Sequence, residues 1–293
     1  MNSSKGQICT FVSKKKINLK KVINFFSSIQ NTNEIIKLSN RAFDFYSDLI
    51  SKKEEIKIRK FCYKNKIDIC IQNLKDRKKK ILFSDMDATI IKNETLDDLV
   101  KIAGTKLNID ETSKLAMEGK ISLKETLSIR VNNLKGKSVN LIKKVLKKIK
   151  FSPGSKVLIN TLNDQGYYTC LLTGGFEPIS TFVKKKLSFK KCISNRFILN
   201  NKKFTGKYVS ITGKKNSKLF YLNKICRKKK FQKKDIISIG DGANDVGMLT
   251  SSGLGIGYNA HQIVRKKIEN QIFFTDLTTV LFYLGIKERN FSY

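Results

Sequence analysis

The stretch 81-ILFSDMDATII-91 sets two aspartates, two positions apart, directly behind Ile81, Leu82 and Phe83. A short apolar run of this kind reads as a buried strand. A buried strand that ends in Asp85 and Asp87 calls for a reason. Three are available: turn chemistry, metal ligands, or a nucleophile with its acid. The rest of the chain decides among them.

Strands of the same kind recur downstream as "YYTCLLT" (167–173), "DIISIGD" (235–241), "GLGIGY" (253–258) and "QIFFT" (271–275). Helical stretches stand between most of them. That alternation, with long crossovers, predicts an α/β fold: a Rossmann-like parallel sheet with helices on both faces. "RFILNNKKFTG" (196–206) predicts a hairpin turning at Asn200–Asn201.

Residues 93 to about 150 break the alternation and read as helices only. "ETLDDLVKIAG" stripes Leu96, Leu99, Val100 and Ala103 and stops at Gly104. "SLKETLSIRVNNLKG" opens on a capping box, Ser122 to Glu125. "SVNLIKKVLKKI" follows with Leu141, Val145 and Ile149. This is a small all-helical cap inserted after the first strand. Such an insertion is expected over the carboxyl ends of the strands, where open α/β sheets bind ligands.

Residues 1–78 read as a separate small α/β domain, and 79–293 as the larger domain that carries the chemistry. "ICTFV" (8–12) and "IDICIQ" (67–72) predict strands. "LKKVINFFSSI" places Val22, Phe25, Phe26 and Ile29 at helical spacing. A polar stretch and a second helical region near 42–64 are expected between them. No catalytic constellation falls in this part.

Composition bounds the function. The chain has 293 residues and is 40% hydrophobic, enough for a proper core. The formal charge of +35 suggests a nucleic-acid or anionic-membrane binder. Lys supplies 51 of the 59 basic residues and Arg only 8. Nucleic-acid surfaces lean on Arg for bidentate contacts, and the lysines are scattered through every segment. The charge therefore reads as biased composition, and neither nucleic acid nor membrane is expected as a partner. No window approaches the ~18 apolar residues of a membrane span, and no apolar stretch near the N-terminus is long enough for a signal peptide. Six cysteines without a CxxC fit a reduced, cytoplasmic setting.

Loops beyond the ends of parallel strands converge on one crevice, so residues 85–89, 173–176 and 241–245 are expected to meet. Asp85, Asp87, Asp241 and Asp245 supply hard oxygen ligands of the kind magnesium takes. No Cys or His stands near them to suggest zinc. Thr173 offers a hydroxyl, Gly174–Gly175 an open backbone, and Lys218, at a helix start, a point charge. Carboxylates, Mg²⁺ and phosphate donors together point to phosphoryl transfer. One aspartate can attack phosphorus and another can protonate the leaving oxygen. "DxD" and "TGG" are each weak alone. "GLGIG" is not a dinucleotide fingerprint, because its third Gly comes too early.

"DMDAT", "TGG", Lys218 and "GDGAND" resemble the four motifs of the haloacid dehalogenase-like phosphatases. "DMDATIIKNETLDDL", "AMEGKISLKETLSIRVNNL", "LLTGGF" and "GDGANDVGM" resemble the phosphoserine phosphatases within that superfamily, along most of 81–285. The resemblance implies Asp85 as the nucleophile and Asp87 as general acid and base. It implies Thr173, Gly174, Lys218 and Asn244 at the phosphate. Asp85, the Asp87 carbonyl and Asp241 would hold Mg²⁺, with Asp245 supporting the metal site. It also implies Glu94 on a substrate ammonium, Arg130 on its carboxylate, and Met117 and Leu123 as pocket walls. The expected substrate is the small molecule O-phospho-serine, hydrolysed as the last step of serine biosynthesis. Alternatives are another small phosphate ester, or a nucleic-acid binder on an inactive phosphatase fold. Departures from the pattern are Thr173 and Ala88, each in place of a usual Ser, and Leu123 in place of a usual Phe. His261, the lone histidine, is assigned no role and is expected at a surface helix start.

Overall fold

The computed structural model describes residues 6–105, 108–109, 111–112, 121–211 and 217–293. Met117, and with it the side chain of Leu123, lie outside the described residues.

The chain opens with β1 (Gln7–Ser13), α1 (Leu19–Ser27), β2 (Thr32–Ser39), β3 (Ala42–Ser47), α2 (Lys52–Lys64) and β4 (Ile67–Asn73). Next come β5 (Ile81–Ser84), α3 (Thr95–Ile102), α4 (Leu123–Asn132), α5 (Leu141–Lys148) and α6 (Ser155–Asp164). The remainder is β6 (Tyr168–Glu177), α7 (Ile179–Leu187), β7 (Lys191–Asn200), β8 (Lys203–Val209), α8 (Ser217–Lys229), β9 (Ile236–Gly240), α9 (Val246–Thr250), β10 (Leu254–Tyr258), α10 (Gln262–Arg265), β11 (Gln271–Ile272) and α11 (Thr279–Tyr283). These strands form two sheets. One is four-stranded in the order β2-β3-β1-β4, and the other seven-stranded in the order β11-β10-β9-β5-β6-β7-β8. The larger is mostly parallel: β10 runs parallel to β9 and β11, and β6 to β7, with β8 antiparallel at the edge. This is the α/β class that the alternating pattern predicts. Among the described residues, no helix is long and apolar enough to cross a membrane.

Two compact units divide the chain. The first is Met1–Leu82, Pro153–Tyr168 and Phe231–Tyr293; the second is Phe83–Ser152 and Thr169–Lys230.

In the first unit, the order βαββαβ with an antiparallel sheet is the split βαβ, or ferredoxin-like, arrangement. Both helices begin where the sequence supplies a cap. Asn18 accepts from the Lys21 N–H at 3.1 Å, and Ser51 and Glu54 form a reciprocal capping box. Val22 and Phe26 of α1 and Ile58 and Cys62 of α2 pack with Phe11 and Phe45 of the sheet. The second helical region does not span 42–64: residues 42–47 are strand β3, paired with β2 as a hairpin, and the helix starts at Lys52. Asp44 breaks the apolar alternation of "AFDFYS" only in sequence. Folded, it is buried, accepts from the Thr10 hydroxyl at 2.7 Å, and meets the Arg77 guanidinium at 2.6 Å.

The same unit explains why "QIFFT" yields only a two-residue strand. The backbone N–H groups of Phe273, Phe274 and Thr275 turn from the ladder to the Asp68 carboxylate on β4, at 2.8, 3.1 and 2.9 Å. The Thr275 hydroxyl adds a fourth donor at 2.6 Å.

In the second unit, residues 93–150 carry helices α3, α4 and α5. Gly104 ends the first of them with φ +62°, a conformation glycine adopts without steric cost. The Ser122–Glu125 capping box is present, with both reciprocal hydrogen bonds. Leu127 and Val131 of α4 form a small core with Phe176, flanked by Leu96, Phe197 and Tyr208. The β7–β8 hairpin turns at Asn201–Lys202, one residue later than predicted. Asn200 pairs with Lys203, and both loop residues have positive φ, as a two-residue hairpin turn requires.

Candidate active site

In the second unit, β5 ends at Ser84 and delivers Asp85 into a buried position, with 6% of its surface exposed. Met86 turns into the core at 0%, so Asp85 and Asp87 emerge from the same loop on either side of an anchored residue. The loop then reverses at Ala88, whose φ of +50° lies in the left-handed region that alanine rarely adopts. Hydrogen bonds from Ala88 N–H to the Asn93 carbonyl at 3.1 Å and from Ile91 N–H to the Met86 carbonyl at 3.0 Å hold the reversal.

Lys218, in the first turn of α8, reaches Asp85 with Nζ to Oδ1 at 2.6 Å. Only 2% of the lysine is exposed. Lysine is almost never buried so fully without a partner. The cost of desolvating both ions makes such a pair a poor stabilising device. It is therefore read as equipment of a reacting site.

Asp87 is fixed by α3. Its Oδ1 accepts the Thr95 N–H, the first of the helix, at 2.9 Å. Its other oxygen lies against the "TGG" turn of β6. A Cβ added at Gly175 would stand 3.0 Å from Asp87 Oδ2 and 2.7 Å from Met86 Cε. Only glycine admits that approach. Thr173 is fully buried, and its hydroxyl accepts the Gly175 N–H at 2.8 Å. Asp85 is thus paired with Lys218, and Asp87 and Thr173 both meet Gly175, across three segments that are distant in sequence.

The helical insert holds the other predicted residues of this unit. Glu94 is exposed and is the N-cap residue of α3. Arg130, on α4, forms a two-pronged ion pair with Asp97, Nε to Oδ1 at 2.7 Å and Nη2 to Oδ2 at 3.2 Å. Asp97 is absent from the sequence-derived set, because an acidic residue in a first helical turn is ordinary dipole chemistry. Asn195 was missed as well. Buried in β7, it donates to the Gly174 carbonyl at 2.8 Å and accepts the Ile211 N–H at 2.7 Å, which fixes the Thr173–Gly175 turn.

The first unit carries "GDGAND". Asp245 is fully buried, and its Oδ2 accepts the Gly242 N–H at 3.1 Å. It packs so closely on Gly240 that an added Cβ would sit 2.4 Å from its Cγ. Asp241 is buried at 7% exposure, and its carbonyl accepts the His261 N–H at 2.9 Å. Asn244 is exposed on the turn between them. His261 precedes α10 as its N-cap, with its imidazole exposed and 3.7 Å from the Asp241 carboxylate.

Residues 82–250 match the haloacid dehalogenase-like hydrolase family. The chain belongs to this family. It is similar to the phosphoserine phosphatase of Methanocaldococcus jannaschii, 32% identical over 209 residues that span 71% of this chain and 99% of that one. A solved phosphoserine phosphatase, held as a phospho-aspartyl intermediate analogue, superposes with a TM-score of 0.66 at 33% identity, covering 70% of this chain and 99% of that one. A family hydrolase from Salmonella enterica serovar Typhi shares the fold over 95% of this chain and 98% of its own, with a TM-score of 0.87 at 22% identity.

Proposed function

We propose that this member of the family is a phosphoserine phosphatase, releasing serine and inorganic phosphate as the closing step of serine synthesis. In this reading residues 79–293 form the phosphatase domain, with its cap at about 93–150, and residues 1–78 a separate small domain. The observation that carries the reading is the buried Lys218–Asp85 pair at the end of β5, in a chain two of whose relatives named above are phosphoserine phosphatases.

Asp85 attacks phosphorus with a carboxylate oxygen, and the bond from phosphorus to the serine oxygen breaks. Asp87 gives its proton to that departing oxygen. Its position against Thr95 N–H keeps the carboxyl group aimed while it changes protonation. A phosphoryl group now sits on Asp85. Asp87 then takes a proton from water, whose oxygen attacks phosphorus and frees the Asp85 carboxylate with phosphate. Lys218 balances charge at Asp85 throughout, and the Thr173 hydroxyl and the Gly174 backbone serve the phosphate oxygens. Asn244 joins them at the phosphate. Glu94 takes the substrate ammonium and Arg130 its carboxylate, the planar group a guanidinium fork fits.

The proposed donors for a cation are the carboxylates of Asp85, Asp241 and Asp245, each buried within its own unit, and none of them is a Cys or His. Oxygen-only donors fit Mg²⁺. Asp85 and Asp241 would hold it together with the Asp87 carbonyl, and Asp245 would support the site. The bound ion supplies Lewis-acid neutralisation of phosphoryl oxygens.

The test is phosphate release from a panel of esters after chelation, with and without added Mg²⁺. The expected result is activity that vanishes on chelation, returns with Mg²⁺, and prefers phosphoserine over aryl and sugar phosphates. Equal rates on all esters would remove the substrate assignment. Undiminished rates after chelation would remove the cation.

A further inference from the structure

The first turn of α3 does two jobs at once. Thr95 donates its N–H to the Asp87 carboxylate. Two residues on, Asp97 grips the guanidinium of Arg130 with both oxygens. The side chains of Arg130 and Asp97 are 12% and 19% exposed, so the pair stands largely out of water, where the charge-assisted hydrogen bond from Nη2 to Oδ2, beside the close Nε–Oδ1 ion contact, holds its geometry best. Arginine has a long, many-rotamer side chain, and an untethered one would lose that freedom each time a ligand bound.

We infer that Asp97 is a positioning residue for specificity: it fixes the Arg130 guanidinium so that the substrate carboxylate meets a pre-set fork. The inference rests on the phosphoserine reading given above. Because Asp97 and the Asp87-binding N–H share one helical turn, the distance from the acid to the carboxylate-binding group is set by rigid helix. A site built on a helix is more exact than one built on a loop. Asp97 touches neither phosphorus nor the leaving oxygen, so it acts on recognition and leaves the chemical step alone.

The experiment compares phosphoserine with phosphoethanolamine, which has the same ammonium and phosphate and no carboxylate, in wild type, Asp97→Asn and Asp97→Ala. Asp97→Asn is nearly isosteric and preserves the fold. For Asp97→Ala, KM for phosphoserine is expected to rise about tenfold, the loss of one immobilised side chain's ordering. Asp97→Asn, which keeps one acceptor oxygen, is expected to fall between it and wild type. Values of kcat stay within about twofold, and neither constant for phosphoethanolamine changes. Equal losses on both esters would make Asp97 a structural residue and overturn the inference. A lower KM for phosphoserine would also overturn it, since Asp97 would then be screening Arg130 from the substrate. Wild type that does not prefer phosphoserine over phosphoethanolamine would instead overturn the role of Arg130, and this inference with it.

Discussion

Asp68 and Asp85 are both buried aspartates on or just beyond a strand, and they are used in opposite ways. Asp68 accepts three backbone N–H groups and a hydroxyl from residues 273–275. Burial pushes its carboxyl above the ordinary range, against the pull of the Thr275 hydroxyl and the backbone donors. Its lone pairs are spent on the fold. Asp85 faces a buried ammonium that can only donate. The difference teaches that burial alone does not mark a reactive carboxylate. What surrounds it does: backbone donors fix a structural group, whereas a side-chain cation leaves a carboxylate able to change its bonding.

Substitutions should separate the two. The largest effect is expected from Asp85→Asn, which removes the proposed nucleophile and should lower phosphate release by about 10⁴-fold or more while circular dichroism stays unchanged. Near-normal turnover would break the comparison on the catalytic side. Next comes Asp68→Ala. It orphans three backbone donors and should cost about 3 kcal/mol of stability, read as a lower midpoint in urea, with kcat untouched. A fall in kcat without loss of stability would show that Asp68 serves the chemistry after all.

The smallest effect concerns Asp235. Burial pushes its carboxyl up, but the Gln232 N–H and the Lys80 ammonium pull it further down, so it ends below the ordinary range. A depressed value means stability that is present above the ordinary carboxylate range and lost as pH falls through the folded value. Asp235→Asn should therefore cost at most about 1 kcal/mol at about pH 7, discounted because Lys80 is exposed, and nothing at about pH 2. A penalty that persists in acid would mean the loss is one of packing.

Legibility in the sequence followed the same division. "DMDAT", "TGG" and "GDGAND" could be read because strand, turn and reactive residue lie within a few positions of one another. Ser122 and Glu125 could be read because a capping box is local. The β2–β3 hairpin could not. Asp44 looks like a break in a strand until Arg77 closes on it from beyond the sheet's last strand. Asn195 and Asp97 escaped for a like reason: each gains its meaning from a partner 21 to 33 positions away, Gly174 and Arg130. Asp68 escaped because its partners are backbone groups, which leave no mark in composition. Sequence reading picked out groups marked by a local pattern and missed those whose partners lie far along the chain.

The central claim is that Asp85 carries the phosphoryl group. The direct measurement is rapid acid quench of the enzyme turning over phosphoserine labelled at phosphorus, followed by peptide mapping. The account predicts a hydroxylamine-labile label on the peptide that contains Asp85, present in Asp68→Ala and absent in Asp85→Asn. Turnover with no protein-bound label, or a label that survives in Asp85→Asn, would contradict it.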